Sequence, residues 1–138
     1  MSKVALKVKY FMWRLIQKCL PVKVNLREKG VDMEAACAVC GNQDETFEHV
    51  FFSCSFSKAV WATVFPDLQV QRNINADYVK YWEEFLLALE SKQDLEKGLY
   101  TLWLIWSNRN DCVHNFKCRN ATNLGMLSTK YAEDFQGL

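Results

Sequence analysis

The sequence predicts a mostly α-helical protein. One small helical domain is organised around a cysteine and histidine knuckle, and a helical extension follows it. Three observations carry this. Apolar residues recur at i, i+3, i+4 and i+7 in successive segments. No alternating apolar and polar stretch exceeds four residues. Three cysteines and one of only two histidines fall within residues 37–54. The chain has 138 residues and is 50% hydrophobic, enough for one real core. Five glycines, two prolines and 24% charged residues argue against disorder and low complexity.

The first helix spans residues 3–19. Val4, Val8, Phe11, Met12, Leu15, Ile16 and Cys19 form its apolar face. Lys3, Lys7, Arg14 and Lys18 form a basic stripe beside it, within an arc of roughly 60° at about 100° per residue. Pro21 ends that helix, and a short one, Val24–Lys29, closes at Gly30. Thr46 caps a short helix through Phe52, where Asp44 and Glu45 suit the helix N-terminus. Ser55 or Ser57 starts the next helix, with Val60, Trp61, Val64 and Phe65 buried, and Pro66-Asp67 breaks it. Residues 67–76 read as a polar connection. Asp77 caps a helix to about Ser91 that buries Tyr78, Tyr81, Trp82, Phe85, Leu86 and Leu89. Asp94 caps another to about His114. Leu95, Leu99, Leu102, Trp103, Trp106, Asn110 and Val113 share one of its faces. A last helix covers roughly Ala121–Phe135.

Net charge is only +1, but it is unevenly placed. Residues 1–30 hold eight Lys/Arg and a single acid, Glu28, while the rest of the chain is net acidic. A near-neutral chain therefore still offers a basic face. Lysines and an arginine interrupt the apolar residues of 1–20, so no secretory signal is read there. No run is long enough to cross a membrane. Six cysteines in a short chain permit a disulfide scaffold, but their clustering argues for a metal site in a reducing compartment.

The cluster is Cys37-x2-Cys40-x8-His49-x4-Cys54. Zinc takes four tetrahedral nitrogen and sulfur ligands, and three cysteines with one histidine form a common closed set. The x2 spacing lets two thiolates on one turn grip a single ion. Gly41 follows, where a positive φ aims backbone N–H groups at the sulfurs. His49 and Cys54 complete the shell. Cys19, Cys112 and Cys118 remain as reduced thiols, and Cys112, His114 and Cys118 lack a fourth ligand for a second ion unless Cys19 joins them.

These residues sit within a longer pattern. It runs Val8-Lys9-Tyr10-Phe11-Met12-Trp13-Arg14-Leu15, then Leu20-Pro21, Asn25-Leu26 and Gly30. Cys37-x2-Cys40-Gly41, Glu45-Thr46, Glu48-His49-Val50-Phe51-Phe52-x-Cys54 and Ala59-Val60-Trp61 follow. Together they resemble the plant reverse-transcriptase-type zinc-binding domain, over roughly residues 5–65. That domain lies between reverse transcriptase and ribonuclease H in LINE-like non-LTR retrotransposons. Leu102-Trp103-x2-Trp106-x2-Arg109-Asn110 is similar to the helix that often follows it. Ala38, Val22 and Ser53 depart from family-typical proline, threonine and histidine, and none is a ligand position.

The resemblance implies a zinc-binding domain over 1–66, a helical extension over 67–138, and a stand-alone or truncated copy without catalytic neighbours. No polymerase-type Asp-Asp pair is present, and the chain is too short for the separated acids of ribonuclease H. The expectation is a non-catalytic module holding one structural zinc on Cys37, Cys40, His49 and Cys54. It binds RNA or an RNA–DNA hybrid through Lys3, Lys7, Lys9, Arg14 and Lys18, with Lys23, Arg27 and Lys29 nearby. Phe47 and Phe51 are candidates to stack on unpaired bases. The alternative is a protein–protein module, with an exposed apolar patch around Trp103–Asn110, or a degenerate remnant. The expected location is intracellular, nuclear or cytoplasmic, with neither membrane nor small-molecule substrate as partner.

Overall fold

A computed structural model describes residues 3–67, 78–89 and 91–134, apart from the side chains of residues 3, 78, 79 and 81. The described residues form six α-helices: α1 (Lys3–Ile16), α2 (Lys23–Glu28), α3 (Ser55–Val64), α4 (Tyr78–Leu87), α5 (Lys92–Asn115) and α6 (Ala121–Asp134). A π-helical turn, His49–Ser53, precedes α3. The only extended pairing among them is an isolated bridge between Ala36 and Asp44. The mostly helical expectation holds.

α1 buries Ala5, Val8, Phe11, Met12 and Leu15, as the 3.6-residue period requires. It stops three residues earlier than its sequence pattern suggests. Lys18 takes φ 60°, and the N–H groups of Lys18 and Cys19 bond back to Leu15 and Arg14. That left-handed cap satisfies the last carbonyls of the helix. Cys19 is exposed beyond the cap, so it does not join the apolar face. Gly30 ends α2 at φ 95°, where a Cβ would be strained.

α5 is the axis of the fold. It packs against α1, the π-helical turn, α3 and α6, so the carboxy-terminal helices lie directly on the amino-terminal ones. Its predicted single apolar face is too narrow a description. Tyr100, Thr101, Leu102, Leu104, Ile105, Trp106, Asn108 and Arg109 are all buried, while Leu95, Leu99 and Trp103 are only partly so. A helix surrounded by neighbours buries polar residues too, provided they are bonded. Thr101 shares a hydrogen bond with Ser128 of α6 at 2.7 Å. Its cap is Ser91, whose hydroxyl accepts the Asp94 N–H at 3.0 Å; Asp94 itself lies in the first turn. Gly125 lets α6 approach α3 closely, since a Cβ there would meet the Thr63 side chain at 2.8 Å.

The core is aromatic. Phe51 meets Phe11, Trp82 and Trp106 with ring centroids about 6 Å apart. Phe52 meets Trp61 at 5.7 Å and Phe85 at 5.1 Å. Both phenylalanines come from the π-helical turn. Trp61 and Trp82 are core residues, and Trp61 donates its indole N–H to the Phe51 carbonyl at 2.7 Å. The expected Asp77 cap and the 67–76 connection fall, beyond Asp67, outside the described residues.

Cys112 and Cys118 are joined as a disulfide, which corrects their reading as reduced thiols. Phe116 reverses the chain in the left-handed region at φ 54°, bringing Cys118 back beside the last turn of α5. Asn108 secures the return by accepting the Arg119 N–H at 2.7 Å. No glycine marks that reversal, so nothing local announces it.

Candidate metal centre

The knuckle begins as a tight loop closed by the Ala36–Asp44 bridge. The Cys37 N–H donates to Gln43 at 2.8 Å, and the Gly41 N–H donates to Cys37 at 2.8 Å. Gly41 sits at φ 71°, which lets the chain turn immediately after Cys40. Cys37 and Cys40 therefore project from one side of one turn.

The other two candidate ligands come from the π-helical turn. Thr46 caps it as its sequence position implies, accepting the His49 N–H on its hydroxyl at 3.0 Å. The turn is wider than the predicted α-helix, however. The Cys54 N–H reaches back five residues to His49 at 2.9 Å. In an α-helix, side chains five apart point about 140° away from each other. The wider turn returns Cys54 to the side of His49, a usual role for such bulges at functional sites.

Together the four residues make one cluster. The ligand atoms of Cys37, Cys40, His49 and Cys54 all lie within 4.8 Å of one another. The His49 Nε2 is 3.3 Å from the Cys40 sulfur. Cys37, His49 and Cys54 are buried, and Cys40 is partly exposed. The Cys37 thiol is pulled down to about 4, first by a hydrogen bond from the Cys54 side chain. The Cys40 and Val39 N–H groups and His49 add to this, and burial opposes it. Cys54 is pushed up as the donor of that pair, and by burial. A soft cation needs the thiolate form, and the Cys54 hydrogen bond and these backbone N–H groups favour it at Cys37.

The donor chemistry fits zinc. Three sulfurs and one imidazole nitrogen form a closed tetrahedral set, with sulfur at about 2.3 Å and nitrogen at about 2.0–2.1 Å from the ion. His49 presents Nε2 to the sulfurs, and an ion bound there would leave the ring proton on Nδ1, a buried atom with no hydrogen-bond partner among the described residues.

Sequence reasoning missed one residue that shapes this centre. Glu45, between Cys40 and His49, is not a helix-dipole partner; it is fully buried. Arg109 of α5, 4% exposed, clamps it. The Arg109 Nη2 donates to Glu45 Oε1 at 2.6 Å, and Nε lies 3.1 Å from both carboxylate oxygens. Nη2 also reaches the Pro21 carbonyl at 3.2 Å, and the Lys23 N–H donates to Glu45 Oε1 at 2.9 Å. One ion pair thus ties the knuckle, the α1–α2 junction and α5 together. The signal available in the sequence was a lone arginine within an aromatic helix.

The basic residues are distributed differently from the expectation. Lys7 and Lys9 are exposed on α1, and Arg14 is partly exposed there. Lys3 opens the helix, its side chain outside the described set. Lys18 lies past the helix end, in the left-handed cap, so it leaves the helical stripe. Lys23 donates its Nζ to the Ala36 carbonyl at 2.8 Å, and Arg27 pairs with Asp44 at 3.6 Å. Phe47 and Phe51 are buried, which removes them as surfaces for stacking. The Trp103–Asn110 segment is largely buried as well: Leu104, Ile105, Trp106, Asn108 and Arg109 face inward, and no open apolar patch forms there.

The fold and the cluster define a small helical module with a closed set of four potential metal ligands. Residues 1–61 match the family described as zinc-binding in reverse transcriptase. That amino-terminal region is similar to zinc-binding modules of the reverse-transcriptase type, and the match includes all four clustered ligands. No curated protein and no solved structure matches the chain significantly. No helix among the described residues is long and apolar enough to cross a membrane.

Proposed function

We propose that the protein is a non-catalytic module of retrotransposon origin, folded around one structural zinc, that binds nucleic acid through the basic outer side of α1. The observation that carries the zinc role is the closed donor set. Three thiolates and one imidazole saturate a tetrahedral ion and leave no position for a reacting water. When bound, the metal supplies folding energy to the loop and turn that hold it.

The nucleic-acid reading is supported by the family match and by the charge of α1, which has Lys3, Lys7, Lys9 and Arg14 and no acid within Lys3–Ile16. Lys7, Lys9 and Arg14 form no ion pair among the described residues, so they are available to phosphates. Contact of this kind gives affinity without sequence preference. A titration with single-stranded RNA across salt concentrations tests it. The expected result is affinity falling linearly on a log–log plot, with a slope of about −0.7 per phosphate neutralised. Replacing Lys7, Lys9 and Arg14 by alanine should flatten that slope. Absence of binding, or binding indifferent to salt, would contradict the reading.

A further inference from the structure

α1 carries a second face that no described part of the chain covers. Leu6, Tyr10 and Trp13 are 55%, 64% and 58% exposed. At about 100° per residue they fall in an arc of roughly 60°, opposite the buried Val8 and Leu15. Their burial would ordinarily be favourable, and large aromatics left open in this way mark a contact surface. The Tyr10 and Trp13 rings are nearly parallel, 19° apart in plane, with centroids separated by 6.4 Å. The Arg14 guanidinium carbon lies 5.8 Å from the Tyr10 ring centroid.

The surroundings of this face say what it fits. On the helical wheel, Lys7 and Arg14 flank the aromatic arc on one side and Lys9 flanks it on the other, with no acid anywhere on the helix. Lysine is depleted at the centres of protein–protein interfaces. Parallel aromatic rings bordered by cations are instead complementary to a polyanion that exposes flat, unpaired bases. A duplex hides its base faces and does not match.

We propose that Tyr10 and Trp13 are a stacking platform for single-stranded nucleic acid, with Lys7, Lys9 and Arg14 holding the phosphates beside it. This deepens the nucleic-acid reading above and rests on it. The platform replaces the buried Phe47 and Phe51 in that role. Recognition is by stacking, so it discriminates single strands from duplexes and not one base from another.

The test uses the full chain and fluorescent RNA single strands of about twelve nucleotides, with a duplex of equal length as comparison. Replacing both aromatics by leucine (Tyr10→Leu with Trp13→Leu) keeps the apolar area and removes the π-faces. Both positions are exposed, so helicity should be unchanged, which circular dichroism checks. The expected result is single-strand affinity reduced on the order of tenfold or more, with the salt slope retained. Trp13→Phe should keep most of the affinity. If salt-dependent binding persists and the leucine variant binds as tightly as the parent, the platform is wrong while the phosphate reading stands. Equal affinity for duplex and single strand overturns it in the same way. If no oligonucleotide binds at any salt, the phosphate reading falls and the platform with it. Self-association in sedimentation that Trp13→Arg abolishes, without oligonucleotide binding, would assign the face to protein and overturn the proposal.

Discussion

Replacing Cys54 by serine is expected to release the metal and collapse the centre of the fold, not merely loosen a loop. The reason is where the ligands sit. His49 and Cys54 bracket the π-helical turn, and the residues between them include Phe51 and Phe52, two of the largest fully buried side chains. Those rings reach Phe11 of α1, Trp61 of α3, Trp82 and Phe85 of α4 and Trp106 of α5. A metal on these ligands would therefore pin the turn that places the core. Apparent zinc-binding energies in small structural sites are about 10–16 kcal/mol at neutral pH. Whole domains are stable by only about 5–15 kcal/mol. Losing one thiolate removes enough of the first figure to exhaust most of the second. Metal content by mass spectrometry should fall to near zero, and far-ultraviolet dichroism should show lost helicity with a broadened thermal transition. A variant that keeps its cooperative melt without metal would contradict this account. The Ser57 hydroxyl, by contrast, donates to the Val50 carbonyl and is not a candidate ligand, so Ser57→Ala is the matched control and should retain the metal.

The second large effect concerns Arg109. Arg109→Ala leaves the Glu45 carboxylate fully buried with its main charge partner gone. Removing one member of a buried, hydrogen-bonded ion pair costs about 3–5 kcal/mol. The guanidinium also stacks over Trp106 at 4.6 Å, and that contact is lost as well. Arg109→Lys should rescue little. A single ammonium cannot reach both carboxylate oxygens and the Pro21 carbonyl with a planar fork. Removing both charges together, Arg109→Met with Glu45→Gln, should cost less than the sum of the single changes, because no uncompensated charge remains. Urea unfolding of the four proteins measures this. A single-variant loss below about 1 kcal/mol would place the pair among weakly contributing surface bridges. Because Glu45 lies between Cys40 and His49, Arg109→Ala should also release zinc faster to a chelator.

These two effects mark how far the sequence could be read. The metal ligands were legible because their chemistry is local: a CxxC turn, a histidine and a cysteine within eighteen residues leave few other readings. Helix α3, the Thr46 cap and the Gly30 stop were legible for the same reason, each being set by a residue and its near neighbours. Glu45 and Arg109 are 64 positions apart, and nothing in either neighbourhood names the other. The Cys112–Cys118 bond depends on a chain reversal at Phe116, a residue that rarely takes a left-handed conformation. Tyr10 and Trp13 were overlooked on α1 because hydrophobic periodicity finds the buried stripe. It does not ask what aromatic residues do on the opposite side. The inward turn of Trp103–Asn110 was hidden by α5 being covered on several faces at once, a property of the assembled helices and not of the segment.

The most direct test of the central claim is zinc X-ray absorption on the purified chain, combined with its metal content. The expected result is one zinc per chain, with three sulfur neighbours at about 2.3 Å and one nitrogen at about 2.0–2.1 Å, and loss of helicity when a strong chelator removes the ion. A folded chain without zinc, or an ion with oxygen in place of sulfur neighbours, would contradict the assignment of Cys37, Cys40, His49 and Cys54 as the structural centre.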